Sequence, residues 1–101
     1  SSCFYEEGDE LTSKISTEFA PLMRKFPCVK AVKKIGLPCE GYDIKRYWFI
    51  TNVGCPSMIF KPLFINNDEH VSWLLSVGNL EKVGRDIGRA IVNGLGNKSH
   101  I

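Results

Sequence analysis

The chain has 101 residues, 44% of them hydrophobic and 24% charged, with a net charge of +2. That is the size and make-up of one globular domain, with too much apolar surface for intrinsic disorder and no apolar run near the ~20 residues of a membrane span. The net charge argues neither for nor against a nucleic-acid partner, and no signal peptide is visible.

The first residues read as a flexible acidic lead-in over 1–8, with Glu6, Glu7, Asp9 and Glu10 close together. The start at Ser1-Ser2 rather than Met leads us to expect a piece of a longer protein. Leu11, Ile15, Phe19, Leu22, Met23 and Phe26 then recur at helical spacing. Asp9 or Thr12 is placed to cap this helix. Pro21 removes a helix hydrogen bond, which predicts a kink or break near Ala20.

Cys28 to Leu37 alternates and predicts a strand. Gly36-Leu37-Pro38-Cys39-Glu40-Gly41 is a turn by composition. Tyr42 to Asn52 is rich in aromatic and β-branched residues and predicts the best strand, forming a hairpin with 28–35. Here Ile44, Trp48 and Ile50 would take one face, and Tyr47 and Phe49 the other. Such a strand needs cover on both faces. Ser57 to Ile65 predicts a third strand, at an edge or broken at Pro62.

From Glu69 the period changes. His70, Trp73, Leu74 and Val77 fit a short helix that Gly78 ends. Asn79 is placed to cap a last helix with a stripe of Leu80, Val83, Ile87 and Ile91. Its wet side would hold Glu81, Lys82, Arg85, Asp86 and Arg89. Gly84 and Gly88 share a face; they read as a site of close backbone approach or as a merely weak helix. Residues 97–101 read as a frayed tail.

The expected fold is therefore α+β: a three-stranded or slightly larger antiparallel sheet, with an N-terminal helix and one or two C-terminal helices on one face. This element order resembles that of RWD-type domains, small α+β modules that serve as adaptors, including at kinetochores. Cystatin-like and other helix-on-sheet domains fit it as well, so the resemblance implies an architecture and not a site.

Chemistry is sparse in the sequence. Cys3, Cys28, Cys39 and Cys55 include no C-x-x-C pair, and His70 and His100 lie far from them. Neither a metal site nor a cofactor is expected. In a hairpin of 28–35 with 42–52, Cys28 would sit opposite a residue near Phe49 and Cys39 in the turn, too far apart for a disulfide, so free thiols and an intracellular origin are expected. A secreted, disulfide-stapled ligand is the alternative, with Asn97-Lys98-Ser99 as its counter-signal. Cys55 with His70 is the one thiol–imidazole candidate, and nothing in the spacing forces them together. No catalytic residue is assigned, and an enzyme is not expected.

The leading expectation is a protein–protein interaction or dimerisation module, its partner another protein or a second copy. Two helices cannot hide both faces of so apolar a sheet. Trp48, Phe60 and Phe64 would make the contact, with Lys33, Lys34, Lys45 and Arg46 setting charge complementarity. The alternative is binding of single-stranded RNA through the basic–aromatic run Lys45 to Phe49. No membrane or small-molecule partner is evident.

Overall fold

The middle strand of the sheet comes from the first six residues and not from the aromatic run. The computed structural model describes residues 1–37, 50 and 54–96. Strand β1 spans Ser2–Glu6, β2 spans Lys33–Leu37 and β3 spans Met58–Lys61. Their order in the sheet is β2-β1-β3. β1 pairs in parallel with β2, from Ser2 opposite Lys33 to Glu6 opposite Leu37, and antiparallel with β3, where Cys3 faces Phe60 and Phe4 faces Ile59. The expected α+β class holds, but the sheet is mixed and not antiparallel. Parallel neighbours need a crossover longer than a tight turn. The helix α1, Glu10–Arg24, supplies it.

The expectation of a flexible lead-in over 1–8 is thus corrected. Within Ser-Cys-Phe-Tyr-Glu, Cys3 is buried on one face and Phe4 on the other. A strand with neighbours on both edges and cover on both faces suits that pattern. The element order also opens with a strand, which departs from the helix-first order behind the RWD comparison.

The predicted first helix is observed. Asp9 is its N-cap and accepts from the backbone N–H of Thr12 at 2.9 Å and from the Thr12 hydroxyl. Ile15, Phe19 and Met23 are buried along one face. Pro21 does not break the helix, which runs on to Arg24. The carbonyl that Pro21 leaves without an amide belongs to exposed Thr17, where water can satisfy it.

Of the strand expected over Cys28 to Leu37, residues 33–37 form β2, while residues 28–32 form no ladder. The N–H of Val29 instead closes a turn on the Phe26 carbonyl at 3.0 Å, and Cys28 and Val29 are buried. The hairpin partner expected at 42–52 lies outside the described residues except for Ile50. That residue is helical, not extended, and buried. β3 is shorter than the expected 57–65 and stops at Lys61, immediately before Pro62. A proline has no N–H to continue a ladder.

Helix α2, Asp68–Leu75, starts on Asn67, whose side chain accepts from the His70 N–H at 3.1 Å. Helix α3, Asn79–Gly94, follows a turn at Gly78, which adopts φ 83°, a left-handed conformation that suits glycine. Asn79 does not cap α3. Its amide donates to the Trp73 carbonyl at 2.7 Å and ties the two helices together. The buried face of α3 is Asn79, Val83, Asp86, Ala90 and Gly94. Leu80 and Ile91 of the expected stripe are exposed, and Asp86 of the expected wet side is buried.

That rotation has a steric cause. α1 and α3 make the most extensive contact between described elements. A Cβ on Gly94 would lie 2.8 Å from the Ile15 Cα and 2.9 Å from its N. Small residues must face α1 for the backbones to come so near. Gly84 and Gly88 have open space around them, so the close-approach reading of that pair fails.

Both faces of the sheet are covered. Cys3 joins Phe19, Met23, Val83 and Ala90 in the larger core, with Phe60 against it. Phe4 and Leu37 pack with Ile50 on the other face, flanked by Ile35 and Ile59. Burying one such large side chain contributes about 1.5–3 kcal/mol.

Candidate partner-binding surface

His70 organises one end of the molecule. It sits in the first turn of α2, within the short helix expected from the sequence, and is buried. Its Nδ1 accepts from the Phe64 N–H at 3.0 Å. The ring's proton is therefore on Nε2, which donates to the Cys28 carbonyl at 2.9 Å. The Phe64 ring stacks on the imidazole, with centroids 5.8 Å apart. Both ring nitrogens are thus engaged by backbone. Cys55, exposed beside Ser57, is not among the partners of His70, so the thiol–imidazole pair is not assembled.

The predicted contact residues separate. Trp48, Lys45 and Arg46 lie outside the described residues, as does the rest of the basic–aromatic run. Phe60 is half-buried, its ring 5.1 Å from that of Phe19, so it packs mainly into the core. Phe64 is 37% exposed at the turn after β3. Lys33 and Lys34 are exposed on β2. Lys33 and Phe64 are brought together: both line a cavity of about 390 Å³, whose polar wall includes Lys30, Glu69 and His70. Lys30 and Glu69 face each other there at 3.9 Å, in an exposed pair of little energetic weight.

Ile65 beside Phe64 is also exposed, but a cluster of exposed aliphatic residues lies elsewhere, at the corner between α2 and α3. Leu75 and Leu80 are 81% and 70% exposed, and Val77 between them stands fully in solvent. A short turn through Gly78 holds these three aliphatic side chains within six residues of chain. Scattered exposed leucines are ordinary; three on one corner are less so. The sequence held a signal for this corner. Val77 adjoins a helix-ending glycine, where a side chain cannot follow the helix into the core.

Beside the corner, a cleft of about 530 Å³ runs between the end of α1 and the start of α3. Phe26 and Trp73 form its apolar floor, their ring centroids 4.7 Å apart. Lys25, Lys82 and Arg85 line it, with Asp86 as the one carboxylate. The Lys25–Asp86 separation is 3.9 Å, and Arg85 reaches Glu81 on its own helix at 3.2 Å.

The described cysteines, Cys3, Cys28 and Cys55, are free thiols. Burial pushes the Cys3 thiol up to about 11, with Lys34 opposing weakly. Burial also raises Cys28. Both are held in the unreactive thiol form at neutral pH. Among the described residues, no helix is long and apolar enough to cross a membrane. Comparison with known protein families, curated proteins and solved structures gives no match.

Proposed function

We propose that this chain is a non-enzymatic protein-binding module whose contact surface centres on the α2–α3 corner. One observation carries the reading: Leu75, Val77 and Leu80 are all directed into solvent on a short, hydrogen-bonded corner. Keeping three aliphatic side chains wet forgoes stabilisation that burial elsewhere would give. A partner that covers them recovers it. The Asn79–Trp73 bond closes the corner by tying α2 to α3, so the three side chains are presented on a pre-ordered turn.

Three side chains do not reach the ~800 Å² per partner of a stable interface. The corner is therefore a hot spot within a larger contact, and self-association through it alone is weak. Hydrophobic-dye fluorescence tests the reading. The wild-type chain binds dye, and Leu75→Ser with Val77→Ser and Leu80→Ser abolishes the signal without lowering the melting temperature. Equal dye binding by both proteins removes the corner from consideration. Light scattering on the same samples shows whether a second copy is the partner; a dimer that the triple substitution dissociates would identify it as such.

A further inference from the structure

We infer that the cleft beside the corner receives an acidic side chain of the partner, so that the module recognises a peptide segment in which aspartate or glutamate adjoins large aliphatic residues. This deepens the preceding proposal and rests on the corner being a contact surface. The two features adjoin: Asn79 lines the cleft, and Leu80 is the next residue of the corner. Trp73 belongs to the cleft floor, and its carbonyl holds Asn79 in place. A segment lying across the corner thus passes the mouth of the cleft.

Charge complementarity decides what enters. Three cations against one carboxylate give the cleft a positive balance. None of the three is strongly committed. Lys25 is 3.9 Å from Asp86, well beyond the roughly 2.7–2.9 Å of a charge-assisted hydrogen bond. Arg85 spends one exposed contact on Glu81. Lys82 has no ion-pair partner among the described residues. A carboxylate entering between them gains cations without breaking a strong pair. The Phe26–Trp73 floor offers apolar contact to the carbon atoms of the entering side chain. A basic segment would meet three like charges there, and an uncharged one would leave them unanswered.

Panning the 101-residue chain against a random-peptide phage display library tests this, with Lys82→Glu and the Leu75→Ser/Val77→Ser pair as matched targets. The expected result is enrichment of peptides with Asp or Glu next to Leu, Ile or Phe. Synthetic copies of these should bind roughly tenfold more weakly to Lys82→Glu, and more weakly as salt rises. They should be lost on the corner pair. Apolar peptides without acidic residues, unaffected by Lys82→Glu, would overturn the cleft's role while leaving the corner proposal standing. No enrichment, or peptides indifferent to the corner pair, would overturn both. Displacement of the peptides by a labelled single-stranded RNA, with RNA binding lost in Lys82→Glu, would assign the cleft to nucleic acid instead and overturn the acidic-peptide inference. Unchanged melting temperatures of the variants exclude loss of fold as the cause.

Discussion

The imidazole of His70 donates to the carbonyl of Cys28 at 2.9 Å, across 42 residues of chain. With its other nitrogen taken by the Phe64 N–H, the ring joins three segments: the turn after α1, the turn after β3, and the start of α2. A neutral imidazole is the one side chain of this shape with both a ring donor and a ring acceptor. It performs here the work of a short piece of ladder where no strand continues.

His70→Ala should therefore leave a buried carbonyl and an amide without partners. Each such orphan costs about 1–3 kcal/mol, so a total loss of roughly 2–6 kcal/mol is expected, before any loss of the Phe64 stacking. Urea unfolding measures it. A change below about 0.5 kcal/mol would mean that the clamp is dispensable.

Gly94 and the other two glycines of α3 should respond in opposite directions. Gly94→Ala forces a methyl group onto the backbone of Ile15 and separates α1 from α3. The expected cost is about 1–3 kcal/mol. Gly84→Ala and Gly88→Ala meet open space and should each stabilise by about 0.5–1 kcal/mol. Thermal melts of the three variants give the comparison, and a stable Gly94→Ala would contradict the tight α1–α3 contact.

Thiol chemistry should rank the described cysteines. Cys55 is exposed and should react first with an alkylating agent, while Cys3 and Cys28 should wait for unfolding. Mass spectrometry after brief labelling reads the order directly. Early modification of Cys3 would show that the β1 face is open.

Alkaline pH should weaken the fold through the same residues. The Cys3 value rises from 9.0 to about 11 on folding, so above pH 9 the folded chain holds a proton that the unfolded chain releases. Stability is thus unaffected below about 9 and falls as pH climbs towards 11, by on the order of 2 kcal/mol. Cys28 adds to the fall in the same sense. Cys3→Ala should be less stable at neutral pH yet show a shallower alkaline decline. An equal slope in the two proteins would assign the decline to other groups.

The Asp9 cap offers a local control. Asp9→Ala removes the acceptor for the Thr12 amide and hydroxyl and should cost about 1 kcal/mol. A larger loss in circular dichroism than in melting temperature would point to fraying confined to the first turn of α1.

Helices were far more readable here than strands. The spacing of Ile15, Phe19 and Met23 located α1, and the break at Gly78 separated α2 from α3. The run Val29 to Val32 alternates and forms no ladder, whereas Ser2-Cys3-Phe4, buried in the central strand, shows no wet–dry alternation. A central strand covered on both faces has no wet positions to set a period of two. Of the contact residues expected from sequence, Phe64, Lys33 and Lys34 are exposed, whereas Phe60 packs mainly into the core. The helical spacing of Leu80 from Val83 and Ile87 places it on an apolar stripe, but spacing alone does not say which part of that stripe meets a neighbour.

By itself, the sequence determined the α+β class, the helical periodicity of α1 and its Asp9 cap, the break at Gly78 between α2 and α3, and the interruption at Pro62 where β3 ends. Those features depend on caps, prolines, glycines and periodicity, all of which act within a few residues of chain. Tertiary structure alone decided that β1 lies between a parallel and an antiparallel neighbour, that Gly94 and Ala90 turn α3 towards α1, and that Leu75, Val77 and Leu80 are left in solvent beside a basic cleft. These outcomes depend on which surfaces meet across tens of residues, and that is settled by shape and close packing between elements, for which no local pattern encodes the partner.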